Sequence, residues 1–208
     1  MEQRTSDWRA TRLGKATSSR IADIIARTKS GYSTSRANYA AQLVCERLSC
    51  APAETYQSSA MVWGIEKEPE ARRLYTFEKD AAVRPAGFLD HPTVKMSGAS
   101  PDGLVGEDGL VEIKCPITAT HIDTVLGRAI PGKYLTQMQW QLAVTGRSWC
   151  DFVSYDPRLP ADLRLFIERV PRNAILIGAL EREVERFLAE VEATLAKLRQ
   201  LPRWDAAA

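Results

Sequence analysis

The stretch "SGASPDGLVGEDGLVEIKCP", residues 97–116, sets short apolar segments on either side of a Gly-Glu-Asp-Gly turn. β-Branched and apolar runs punctuated by Gly, Pro and Asp read as strands joined by turns. In an extended strand residues two apart share a face, so Glu112 and Lys114 project together while Ile113 turns to the opposite, buried side. The turn brings the preceding segment back alongside, which places Asp102 near that pair.

Outward from this hairpin, "VRPAGFLD" and "TVKMSGAS" have the same strand-like texture, so a sheet begins near Val83. A helix is predicted from Tyr134 to Val144, then strands at "SWCDFVSYD" and "LRLFIERV", and a long amphipathic helix from about Asn173 to Gln200. Upstream, Thr17, Ser18 and Ser19 offer N-caps to a short helix whose Ile21, Ile24 and Ile25 follow helical spacing, and a second helix runs from Ser35 to about Leu48. Cys50 to Ser59 reads as a loop. The following "MVWGIEKEPEARRLYTFEKD" reads as a helix with Trp63, Leu74 and Phe77 available to a core. Pro69 is tolerable there only near a first turn, which would put Glu68 close to the helix start. Helices flanking a mixed sheet give an α/β (α+β) fold, and no linker divides residues 1–208, so a single domain is expected.

A chain of 208 residues with 45% hydrophobic and 26% charged residues has ordinary globular composition. The apolar runs are too short for a bilayer and the first residues hold no signal-peptide core, so a soluble, cytoplasmic protein is expected. The four cysteines form no CxxC pair and read as reduced, partly buried thiols. The net charge of +2 is unevenly spread, +5 over residues 1–50 and −3 over the rest, which permits a polyanionic partner.

Two carboxylates at close quarters repel unless a cation lies between them, and a cluster without histidine or thiolate suits a hard, oxygen-liganded ion such as Mg²⁺. The carbonyl of Ile113 can complete such a shell. The ion would polarise a phosphodiester and lower the pKa of a bound water, with Lys114 orienting that water or stabilising negative charge on phosphorus. Taken singly, "PDG" is a common turn and a charged-apolar-charged triplet is the ordinary pattern of a half-exposed strand. In this order and spacing they form the PD-(D/E)xK nuclease signature, which implies a restriction-endonuclease-like core.

The surrounding blocks sharpen the reading. "TRLGKATSS", "WGIEKE", "SPDGL", "GLVEIKCP", "KYLTQMQWQLAVTG" and "YDPR" closely resemble, in order and over nearly the whole chain, the motifs of the bacteriophage lambda exonuclease family of viral-type recombination nucleases. The resemblance implies a 5′→3′ exonuclease on double-stranded DNA that uses two Mg²⁺ ions, with Mn²⁺ able to substitute. Such an enzyme releases mononucleotides and leaves a 3′ overhang for single-strand annealing. Asp102, Glu112 and the Ile113 carbonyl then match metal ligands, Lys114 the catalytic lysine, and Glu68 an additional acidic residue at metal and water. Arg12, Ser19, Ser100 and Gln137 match the contacts to the terminal 5′-phosphate, with Ser18 adjacent to the serine position. Met61 stands where a wedge parts the terminal base pair, or fills a core gap. Lys29 stands where a cation reaches a groove, and Trp8 is placed to stack near the opened end or to be buried. The resemblance also implies N-terminal helices that contribute to end binding, a homotrimeric ring around DNA, and a single-strand annealing partner.

Two rivals remain open at this level. A site- or structure-specific endonuclease would keep the same metal site, and only a 5′-phosphate pocket separates it from an exonuclease. An end-binding module without catalysis would lack an acidic residue or the lysine, yet Glu68, Asp102, Glu112 and Lys114 are all present. The dispersed cysteines disfavour an iron-sulfur variant.

Overall fold

A computed structural model describes residues 3–53 and 58–202. In chain order its elements are α1 (Ser6–Arg12), β1 (Ala16–Thr17), a 3-10 turn (Ser18–Arg20), α2 (Ile21–Ile25), β2 (Arg27–Thr28), β3 (Gly31–Tyr32), α3 (Thr34–Ser49) and α4 (Ser59–Lys79). There follow β4 (Val83–Arg84), β5 (Leu89–Asp90), β6 (Ser97–Ala99), β7 (Gly103–Val105) and β8 (Gly109–Lys114). The rest is α5 (Thr118–Gly127), α6 (Gly132–Thr145), β9 (Trp149–Tyr155), β10 (Leu165–Pro171) and α7 (Ala174–Arg199). No helix among the described residues is long and apolar enough to cross a membrane.

The main sheet has the order β10-β9-β8-β7-β4, with β8 and β9 parallel and its other pairs antiparallel. Strand alternation gives it two buried faces. Leu110 and Phe152 pack on one face against Met138 and Leu142 of α6. Val111, Ile113 and Val153 pack on the other against Ala71 and Tyr75 of α4. A third cluster joins α2, α3 and α7 to the outer side of α6 through Tyr39, Leu43, Trp140, Val184 and Phe187, all at most 2% exposed. Side chains of this size stabilise the fold by about 1.5–3 kcal/mol each when fully buried.

A smaller sheet, β1-β6-β5, delivers two segments to the edge of the site. β1 and β6 run parallel with Ala16 beside Ser97 and Thr17 beside Gly98. A Cβ at Gly98 would come within 2.3 Å of the Leu89 carbonyl oxygen, so no larger residue fits between β5 and the Phe88 ring. Arg147 follows α6 and pins the β7–β8 hairpin, donating from Nη1 to the carbonyls of Val105, Gly106 and Gly109 at 3.3, 3.0 and 2.7 Å.

Several expectations are corrected. No hydroxyl of Thr17, Ser18 or Ser19 caps α2, because a 3-10 turn fills that place and Arg20 is the N-cap. Pro69 and Glu68 lie in the middle of α4, not near its start. Proline leaves the carbonyl of Ile65 without its i+4 donor, and at 36% exposure that residue can be hydrated instead. Phe77 points to solvent at 81% exposure, and Ala71 and Tyr75 supply the apolar face expected of it. "TVKMSGAS" yields strand only at Ser97–Ala99. Helix α5 is absent from the sequence reading. Cys45 and Cys50 are exposed while Cys115 and Cys150 are buried, and all four are free. Of the loop expected between Cys50 and Ser59, residues 54–57 lie outside the described residues.

Candidate active site

Two adjoining strands position the carboxylates. The antiparallel register pairs Gly103 with Val111, so one step further Asp102 stands across from Glu112 on the α6 side of the sheet. Asp102 is fixed by its own hairpin, since Oδ2 accepts the Ile113 backbone N–H at 2.7 Å. Lys114 shares the face of Glu112, with Nζ 2.5 Å from Glu112 Oε1, as alternation along β8 requires.

Glu112 is 1% exposed and its oxygens are divided among three donors. Oε1 accepts from Gln137 Nε2 at 2.6 Å as well as from Lys114, and Oε2 accepts from Gln141 Nε2 at 2.6 Å. Gln137 and Gln141 are one turn apart on α6 and therefore face the sheet together.

The electrostatics show a crowded anionic site. Part of Asp102 reaches solvent, yet its carboxyl is enclosed by protein, and burial followed by the charges of Glu112 and Glu68 raises its pKa well above the ordinary range. Burial works to lower the Lys114 pKa, but the carboxylates of Glu112 and Asp102 outweigh it and hold the ammonium protonated beyond its usual range. Cys115, the next residue, is pushed up to about 12 by burial and then by Glu68 and Asp102, which makes it an inert thiol.

The donor set fits a hard divalent cation. Asp102 and Glu112 supply oxygens from facing strands, burial and then the Glu112 charge raise the Asp102 pKa in a way a bound cation would relieve, and no softer ligand competes. Among the described residues no group of three or more His, Cys, Asp or Glu side chains forms a metal cluster, so side chains alone supply a pair. Glu68 does not join that pair. Its carboxylate is taken by Arg4 and by Arg72, the latter at 2.5 Å one turn along α4. It acts on Asp102 through its charge.

The residues matched to phosphate binding border the same place. Arg12, the last residue of α1, lies with its guanidinium 4.2 Å over the Trp8 ring, and Trp8 Nε1 donates to Ser100 Oγ at 2.8 Å. The parallel β1–β6 pairing ends with Thr17 beside Gly98, and Ser18 and Ser19 follow in the 3-10 turn, with Thr17 Oγ1 3.5 Å from Ser19 Oγ. Ser18 is buried and Ser19 exposed, so of the pair Ser19 is open to a ligand. The neighbouring cations are engaged, Lys15 with Asp90 at 2.6 Å and Arg20 with Asp23 at 2.5 Å. Gln137 lies on the carboxylate side, bonded to Glu112. Met61 is 51% exposed in the first turn of α4. Lys29 stands apart at the exposed tip of the β2–β3 hairpin, which Tyr32 anchors to Glu183 of α7 at 2.6 Å.

Gln141 is the site residue that sequence reasoning missed. Its signal was available, since "QMQWQ" places it four residues after Gln137 on a helix. Of the two partners of Glu68, Arg72 carried the same four-residue signal, whereas Arg4 had none because it is 64 residues away in sequence.

Comparisons with known proteins agree with this geometry. Residues 7–148 match the YqaJ-like viral recombinase domain. The chain is similar to LHK-Exo, an alkaline exonuclease from Laribacter hongkongensis, at 48% identity over 94% of this chain and 97% of that one, with a TM-score of 0.88. A structure of LHK-Exo in complex with dAMP gives the same identity and coverage with a TM-score of 0.89. A phage-related exonuclease from Haemophilus somnus 129PT shares the fold, with a TM-score of 0.73 at 16% identity over 88% of this chain and 96% of that one. None of the curated proteins compared with the chain matches it. The motif resemblance and the lambda-exonuclease-type fold are both borne out, and a domain match covering most of the sequence leads to one conclusion: the chain belongs to the family of YqaJ-like viral recombinase domains.

Proposed function

We propose that the chain is a divalent-metal-dependent exonuclease that digests one strand of linear double-stranded DNA from a 5′-phosphorylated end, in the 5′→3′ direction. It releases mononucleotides and leaves a 3′ overhang for recombination by annealing. The observation that carries the reading is the assembly of Asp102, Glu112 and a protonated Lys114 across two adjoining strands. A similar protein is described as an alkaline exonuclease and has been seen with a deoxynucleoside monophosphate, which supports the activity and the product class.

Asp102, Glu112 and the Ile113 carbonyl would hold Mg²⁺ or Mn²⁺, which when bound polarises the phosphodiester and acidifies a water. The chain's own residues do the rest. Lys114, paired with Glu112, orients that water or stabilises negative charge on the phosphoryl oxygens. Arg12, Ser19, Ser100 and Gln137 hold the terminal phosphate, and this fixes where cutting begins. Met61, Lys29 and Trp8 act on the duplex nearby. A homotrimeric ring and a single-strand annealing partner belong to the same proposal.

The test uses three substrates, 5′-phosphorylated linear duplex, 5′-hydroxyl linear duplex and covalently closed circle, with and without Mg²⁺. Metal-dependent release of mononucleotides from the first, slower release from the second and none from the third are expected. Linearisation of the circle would instead show an endonuclease.

A further inference from the structure

Gln141 lies wholly inside the molecule at 0% exposure, on a stretch of α6 whose buried neighbours Met138, Trp140 and Leu142 are apolar or aromatic. Its amide nitrogen has one partner, Glu112 Oε2 at 2.6 Å, and its Oε1 is buried with no hydrogen-bond partner. A buried amide left half-satisfied is unfavourable, and an aliphatic residue would remove that cost only by leaving the buried Glu112 Oε2 without its donor, so the amide is there for Glu112. We infer that Gln141 is a positioning residue for the metal centre: it locks the Glu112 carboxylate in the orientation that receives the divalent cation. The inference rests on the metal-dependent reading given above.

Three features of the arrangement support the role. Gln141 is a neutral donor, so it restrains Glu112 without neutralising it, whereas a lysine or arginine in its place would compete with the cation. It is the side-chain donor to Oε2, whereas Oε1 is shared by Lys114 and Gln137. Gln137 is 8% exposed and shares Oε1 with Lys114, whereas Gln141 holds Oε2 and has no second partner to turn to. The two glutamines thus hold different oxygens of one carboxylate, Gln137 on Oε1 and Gln141 on Oε2.

The test is calorimetric titration of the DNA-free protein with Mg²⁺, comparing wild type, Gln141→Met, Gln141→Leu and Asp102→Ala, with circular dichroism to check folding. Residues that orient metal ligands change affinity by about 10- to 100-fold when lost. Gln141→Met and Gln141→Leu should therefore bind Mg²⁺ about 10- to 100-fold more weakly, while Asp102→Ala shows no binding. Raising Mg²⁺ should return the kcat of both glutamine variants toward wild type with the KM for DNA unchanged. Wild-type metal affinity in folded variants would overturn the assignment, and so would a failure of both variants to fold, which would make Gln141 a structural residue. Absence of Mg²⁺ binding by wild type would remove the metal reading itself, an outcome distinct from the other two.

Discussion

Trp8 Nε1 donates a 2.8 Å hydrogen bond to Ser100 Oγ while its ring carries the guanidinium of Arg12 at 4.2 Å. One side chain thereby places two of the groups assigned to the terminal phosphate, and Ser100 itself leads directly into Pro101 and Asp102. The groups proposed to recognise the end and the carboxylate pair are joined through a few bonds of backbone.

Arg12→Ala should lower cleavage of 5′-phosphorylated duplex by about tenfold or more, since a charge-assisted hydrogen bond contributes roughly 1.5–3 kcal/mol. The loss should be selective. Wild type should prefer the phosphorylated end over the hydroxyl end, and the variant should be slow on both. Initial rates on the two substrates check this, and a full wild-type preference in Arg12→Ala would assign the phosphate to another residue.

Lys114→Ala should reduce hydrolysis by at least about a hundredfold, the scale expected for removing one donor to developing charge. End binding should persist, because Asp102, Glu112 and the Arg12 group are untouched. Single-turnover cleavage read beside an electrophoretic binding assay separates the two effects. Digestion at wild-type rate would mean that the lysine is only the ion-pair partner of Glu112.

Asp102→Asn should stabilise the metal-free protein at neutral pH. Burial and then the charges of Glu112 and Glu68 raise the folded-state pKa of Asp102, so the folded chain keeps this proton to higher pH than the unfolded chain. Stability then falls as pH rises from the ordinary carboxylate range through the raised folded value. Asparagine removes that loss, on the order of 1 kcal/mol per unit of displacement, and can still accept the Ile113 N–H. Saturating Mg²⁺ should raise the wild-type Tm and leave that of the variant unmoved. Scanning calorimetry across pH would refute this account if the variant melted below wild type at pH 7 without metal.

A ring-forming enzyme should sediment as a trimer and degrade long duplexes in extended runs, because enclosure prevents escape between cuts. Sedimentation velocity and a single-encounter digestion with excess competitor DNA measure both properties. A fully processive monomer would defeat the explanation.

Local rules were enough where one neighbour decides the outcome. Glu112 and Lys114 share a face and Ile113 is buried behind them because strand alternation admits nothing else. The long terminal helix begins at its Asn173 cap, whose side chain accepts the Leu176 N–H, and ends within a residue of expectation. Tertiary contacts decided the rest. Phe77 has the hydrophobicity of a core residue, but it lies two positions from the buried Tyr75 and so on the opposite side of α4, and it is Tyr75 that reaches the buried Asp151. Helix α5 escaped notice because its buried positions are His121 and Thr124, so no apolar stripe marks it, while Leu126 is 78% exposed. Glu68 was placed at a helix start on the assumption that Pro69 must be near one, and packing of α4 on the sheet overrides that preference.

Because Asp102 and Glu112 face each other across one hairpin, the chemistry tolerates changes in chain length unequally. A slip of one residue between β7 and β8 would turn Glu112 toward α4 and present Ile113 to the substrate, whereas residues added beyond the paired segment leave the ligands in place. Arg147 gathers carbonyls from both ends of that turn, so it serves as a stop against such slippage. An arginine outside the carboxylate pair thus helps to fix which β8 side chains lie on the α6 face.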